Sequence, residues 1–244
     1  PEGAAPNEFG SVLKKNHIPV YDLKGKNKFG TALNIRRLLR QKRPDVVHTN
    51  LSTVLYVMFF AAIYDTKERI FTFHSVASLT ASGFKKRLYE FAFKTLKFTP
   101  VAICDFVKRT IIEEYHLPAD QIPCIYNGVD TNAFSPQGKT YEPNPVNRPI
   151  EFVSTGILYH LKNHKLLIDA FAKTEKEHPD IHLTIMGDGE LREELEHRIA
   201  AYGLVNKINI LGITDHVADF LKQADIYVMS SDLEGLPLSV LEAM

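Results

Sequence analysis

From Ile18 onward, short apolar runs alternate with longer stretches whose apolar residues recur at helical spacing, and the pattern persists to the last residue. Strands are predicted at 18–23, 45–48, 69–73, 100–104, 122–126, 150–154, 181–186, 208–211 and 226–229. Helices are predicted between them at 30–42, 51–64, 85–97, 106–115, 163–178, 190–202 and 216–223, with one more opening near Pro237. Short strands separated by helices of this length cannot form hairpins. They build parallel sheets with helices on both faces, an α/β architecture.

The alternation pauses once, across a stretch rich in proline, asparagine and glycine with little apolar material. That composition reads as a linker. The expected organisation is an N-terminal Rossmann-like domain at 1–134, a linker at 135–149 and a second Rossmann-like domain at 150–244. In open parallel sheets ligands bind where strands end and helices begin, so chemistry is sought in the residues just after each strand.

Composition excludes some classes. With 29 basic and 29 acidic residues the formal charge is zero, which argues against nucleic acid as a whole-chain partner. Cys104 and Cys124 lack metal-ligand spacing, and two lone thiols point to a reducing, cytoplasmic setting. The longest apolar run, Val54–Ile63, is too short to cross a bilayer and reads as a buried helix. The chain begins without methionine and stops inside a predicted helix, so a fragment of a longer protein is expected, with both domains incomplete.

The most informative stretch is Glu234-Gly235-Leu236-Pro237-Leu238-Ser239-Val240-Leu241-Glu242-Ala243-Met244. Gly235 permits a tight turn and Pro237 suits the first helical position. Leu238 and Leu241 then share one helix face, and Ser239 and Glu242 share another. The first-turn amides of Leu238 and Ser239 form an anion site, Glu234 is placed to reach hydroxyls beside the anion, and Glu242 can accept from a vicinal diol such as a ribose. The alternative is a surface turn with two solvated glutamates.

His48 and His74 each follow a predicted strand and can donate to a hydroxyl or phosphate or carry a proton, or can be ordinary hydrogen-bonded loop residues. In Ser154-Thr155-Gly156-Ile157-Leu158-Tyr159-His160-Leu161-Lys162, Gly156 lets backbone approach a phosphate and Lys162 can neutralise diphosphate charge. Gly187 and Gly189 mark a tight strand-to-helix turn, without the third glycine of a dinucleotide fingerprint. Asn127-Gly128-Val129-Asp130 is a turn with an Asp side-chain cap. The helix around Lys85-Lys86-Arg87 is basic and aromatic; Leu88, Phe91 and Phe98 fit a core stripe, and the alternative is contact with an anionic membrane surface. No Asp-x-Asp pair, Gly-x-Ser-x-Gly elbow, Walker loop or Cys/His metal cluster is present.

The run from Glu234 to Met244, the Asn127-Gly128-Val129-Asp130 turn, Lys162 and His74 together resemble the retaining glycosyltransferases of family 4, the group 1 enzymes with the GT-B fold. The resemblance covers roughly residues 45–244. It implies two Rossmann-like domains facing a cleft, the second binding a nucleotide-diphosphate sugar and the first meeting a saccharide or lipid-linked acceptor. It further implies His74 and Glu234 near the reacting centre, and Gly156, Lys162, Gly187, Gly189, Leu238, Ser239 and Glu242 around the donor. Neither metal nor cofactor is implied, retention is by front-face displacement, and the location is cytoplasmic or peripheral at the inner membrane face, in cell-surface polysaccharide synthesis. Ile157 departs from the pattern, because the family carries an arginine directly after that glycine. Isoleucine cannot make the bidentate phosphate contact. A nucleotide-sugar-binding protein or scaffold that has lost catalysis is therefore the alternative, and a nucleotide-sugar epimerase of similar fold is a third.

Overall fold

Strands form where β-branched and aromatic residues cluster, as in Val46-Val47, Ile70-Phe71-Thr72-Phe73 and Ile150-Glu151-Phe152-Val153, because such side chains pack well on a pleated surface. The computed structural model describes residues 10–136 and 148–244. Its chain divides into two units, Pro1–Tyr126 and Asn127–Met244.

The first unit runs α1 (Gly10–Lys15), α2 (Lys28–Lys42), β1 (Val46–Asn50), α3 (Val54–Ile63), β2 (Glu68–Phe73), α4 (Ala77–Thr80), α5 (Gly83–Lys94), β3 (Thr99–Ala102) and α6 (Asp105–Tyr115). The strands form one parallel sheet in the order β1-β2-β3. Its core is aromatic. Phe71 and Phe73 on β2 meet Tyr89 and Phe93 on α5 and Tyr115 on α6, with edge-on contacts at 4.8 Å for Phe71–Phe73 and 5.2 Å for Phe93–Tyr115.

Three expectations are corrected here. Residues 18–23 form no regular strand: only Tyr21 bridges, since Pro19 lacks a donor and Ile18 is 51% exposed. Residues 122–126 contribute a single bridge, Cys124 to Ala102, because Pro123 likewise cannot extend a ladder. The helix expected at 51–64 is interrupted at its start, where Leu51 takes φ 55° and a 3-10 turn, Leu51–Thr53, precedes α3.

The second unit runs β4 (Ile150–Thr155), α7 (His164–Glu177), β5 (Ile181–Met186), α8 (Arg192–Ala201), β6 (Ile208–Gly212), α9 (Val217–Gln223), β7 (Ile226–Tyr227) and α10 (Leu238–Ala243). All strands are parallel, in the order β6-β5-β4-β7. Most of the expected linker, residues 137–147, lies outside the described residues.

Leu167, Ile168 and Phe171 of α7 and Leu195 and Ile199 of α8 pack with Ile181, Leu183 and Ile185 of β5. Arg198 clamps α8 to α7 through both carboxylate oxygens of Asp169 at 2.6 Å. The strand order has a functional consequence. The chain moves outward from β4 to β5 and β6, then returns to β7 on the other side of β4. The strand order therefore reverses between β4 and β7, the switch point of the sheet, and the loops leaving these two strands stand side by side at their carboxyl ends.

Candidate functional site

At that switch point the loop after β4 carries Gly156 and Lys162, and the loop after β7 carries Glu234. Gly156 has φ 155°. A Cβ there would touch Cδ and Cε of Lys162 at 3.5 Å, so the lysine stem lies across the glycine. Lys162 Nζ donates to Glu234 Oε1 at 2.6 Å, with side chains 23% and 22% exposed. The two residues assigned to different parts of a ligand are thus paired with each other.

Polar contacts tie the two loops together around this pair. The Ser230 hydroxyl donates to the Lys162 carbonyl at 2.8 Å, the Asp232 N–H to the Leu161 carbonyl at 2.9 Å, and Asn163 Nδ2 to Asp232 Oδ1 at 2.8 Å. Asn163 sits at φ 47°, which asparagine tolerates, and its side-chain oxygen caps α7 by accepting from Leu166 N–H. His164 follows, 2% exposed; burial first and Lys162 second push its pKa down to about 4, so it stays neutral. Its Nδ1 has no partner among the described residues.

Gly187 and Gly189 answer to packing. A Cβ on Gly187 would stand 1.9 Å from the Gly156 carbonyl oxygen, and one on Gly189 would stand 2.5 Å from that of Leu158. The turn after β5 is thereby pressed against the loop after β4. Leu238 and Ser239 open α10, with Pro237 as its cap rather than its first helical residue. Glu242 borders a cavity of about 530 Å³ together with Phe134, Leu221, Lys222 and Asp225, which Lys162 and Glu234 do not line. Burial holds its carboxyl above the usual range. Ile157, where a guanidinium was expected, is 63% exposed.

In the first unit, β1 runs two residues beyond its predicted end. His48 therefore lies within the strand, bonded to Thr72 Oγ1 at 2.7 Å, and Asn50 occupies the strand end. His74 follows β2, 2.8 Å from Asn50 Oδ1, at the edge of a cavity of about 190 Å³. Loss of water around the ring, and then His48, hold His74 below the usual histidine range. Asn50, Ser230, Asp232 and Asn163 escaped the sequence reading, because their importance lies in partners distant along the chain.

Comparison with known proteins gives the family and the fold. Residues 2–133 match the family model described as Glycosyltransferase Family 4, and residues 141–244 match Glycosyl transferases group 1. The chain belongs to this family of glycosyltransferases. It is 29% identical over 251 residues, 96% of its length, to the UDP-Gal:alpha-D-GlcNAc-diphosphoundecaprenol alpha-1,3-galactosyltransferase of Escherichia coli, covering 62% of that protein. It is 24% identical to the capsular polysaccharide biosynthesis glycosyltransferase CapH of Staphylococcus aureus, covering 97% of this chain and 66% of CapH. Among solved structures, HepE of Anabaena in complex with UDP and glucose superimposes with a TM-score of 0.81 at 19% identity, over 98% of this chain and 68% of HepE. The fold is GT-B. The chain spans between 55% and 66% of the length of the curated relatives that it matches along most of its own.

Proposed function

We propose that this chain carries the donor-handling machinery of a retaining hexosyltransferase. It moves sugar from a nucleotide-diphosphate donor to a saccharide or lipid-linked glycan in cell-surface polysaccharide synthesis. The observation that carries the reading is the Lys162–Glu234 pair at the switch point of a parallel sheet, a cation and a hydroxyl-binding carboxylate held side by side. The relatives' printed names, a galactosyltransferase using UDP-Gal and a capsular polysaccharide enzyme, support it.

In this reading residues 150–244 bind donor and 1–134 serve the acceptor side, joined by 135–149. Lys162 parts from Glu234 and meets the diphosphate together with the Leu238 and Ser239 amides, Gly156 lets the phosphates approach, and Glu234 takes the sugar hydroxyls. Glu242 holds the ribose, the backbone at Gly187 and Gly189 lines the nucleotide, and His74 acts near the reacting centre. The leaving phosphate assists a front-face displacement, so no separate base is required and no metal is involved. The enzyme works in the cytoplasm, peripheral to the inner membrane face, with no nucleic-acid partner.

Binding and hydrolysis of UDP-, GDP- and ADP-sugars by the full-length protein, beside Glu242→Ala, test this. Binding of one donor, lost in the variant, is expected; failure of every donor to bind refutes it. The exposed Ile157 favours one second reading, a catalytically impaired nucleotide-sugar binder. A large gain in turnover on Ile157→Arg would support that reading, and unchanged turnover in an active protein would discard it.

A further inference from the structure

The first unit's sheet ends in a loop under more constraint than a surface turn requires. Leu51, directly after β1, takes φ 55°, an outlying conformation for a bulky side chain. That side chain is 67% exposed, so its own burial does not offset the strain. Polar contacts hold the backbone instead. The Thr53 hydroxyl accepts the Asn50 N–H at 3.2 Å, and the Tyr89 hydroxyl donates to the Leu51 carbonyl at 3.2 Å. Tyr89 is fully buried on α5, wedged among Phe71, Phe93 and Tyr115 with ring centroids 5.3, 6.0 and 6.5 Å away. Burial pushes its hydroxyl up to about 12, so it remains a donor at any physiological pH.

The residue aimed by this loop is Asn50. Its side-chain oxygen lies 2.8 Å from His74 Nε2, and an amide oxygen only accepts. A neutral ring facing that oxygen carries its proton on Nε2 and keeps the Nδ1 lone pair. We propose that Asn50 and Tyr89 are positioning residues for His74: Tyr89 fixes the left-handed turn at Leu51, the turn aims Asn50, and Asn50 orients the imidazole with Nδ1 free to accept. This assignment rests on the reading of His74 as a working residue. It adds two residues that neither strand periodicity nor motif spacing singles out.

The test is NMR of histidine side chains in the full-length protein, with the His74 signals assigned by their loss in His74→Gln. A hydrogen-bonded Nε2–H exchanges slowly enough with water to be seen. Asn50→Ala is expected to abolish that signal. Asn50→Asp should retain it and raise the His74 pKa by about one unit, because a carboxylate now faces the same nitrogen. Tyr89→Phe should speed its exchange roughly fivefold, the worth of one hydrogen bond to a backbone carbonyl. Adding Leu51→Gly to Tyr89→Phe should restore slow exchange, since glycine adopts the turn without strain; a merely structural role for Tyr89 predicts no such rescue. An unchanged signal in Asn50→Ala, or the lack of rescue, overturns the proposal. Full turnover in His74→Gln would instead remove the catalytic reading of His74, while the exchange data judge the network independently.

Discussion

In the proposed function, Lys162 and Glu234 meet opposite demands in the free and the occupied site. In the free protein each neutralises the other at 2.6 Å, and a diphosphate has to compete with the carboxylate for the ammonium. Glu234→Gln removes that competitor. UDP, which brings no sugar for Glu234 to hold, is expected to bind roughly fivefold tighter to this variant, about 1 kcal/mol for a half-screened pair, while sugar transfer falls. Calorimetry with UDP decides it, and unchanged affinity would show that Glu234 does not restrain Lys162. His164 gives a second prediction. Its folded pKa of about 4 lies below the ordinary 6.5, so the unfolded chain takes up the extra proton. The associated stability is complete above pH 6.5, falls as pH drops toward 4, and changes no further below that. Between pH 7 and 5 the wild type should lose about 2 kcal/mol more than His164→Leu in urea unfolding; equal losses would mean that the ring is not held neutral. Lys162 and Glu234 were both legible as residue types after strands. Their pairing was not, because 72 positions of chain separate them and the distance closes only when β7 returns beside β4.

Helix α5 shows what periodicity leaves open at the scale of an element. Its aromatic residues are spread around the helix, so spacing alone permits more than one inward face. The stripe expected to be buried included Leu88 and Phe91, yet Tyr89, Ala92 and Phe93 face the core and Phe91 is 40% exposed. The rings of Phe71 and Phe73 on β2 decide the matter by accepting Tyr89 and Phe93. What remains outside is Phe84, Arg87 and Phe91 on one stripe, with Lys85 and Lys94 also exposed and Phe59 of α3 6.1 Å from Phe91. Such a face suits an anionic lipid surface. Sedimentation with vesicles containing anionic lipid should retain the protein at low salt. Changing Lys85, Arg87 and Lys94 to Glu should weaken it tenfold or more, at roughly 1 kcal/mol per basic residue. A wild-type protein that stays in the supernatant would refute membrane contact through this face.

At the scale of the whole molecule, net charge is zero and no helix among the described residues is long and apolar enough to span a membrane. The expected response to the correct nucleotide sugar is a rise in unfolding temperature, about 2.7 kcal/mol of stabilisation at a hundredfold excess over Kd. EDTA should leave both this shift and turnover unchanged; loss of either on chelation would refute metal-independent transfer. The succession of strands and helices and the parallel sheets were legible in the sequence, because local periodicity and turn residues act over a few positions. Proline broke that reading at 18–23 and 122–126, where a missing N–H cancels an otherwise strand-like run. Only the tertiary structure decided that Lys162 rests on Gly156 and pairs with Glu234, that Gly187 is dictated by the Gly156 carbonyl, and that Asn50 meets His74. Apart from Lys162 on Gly156, which lies within one loop, each of these is a contact between neighbouring strands' ends, set by strand order and register, which depend on long-range packing rather than on neighbours in the chain.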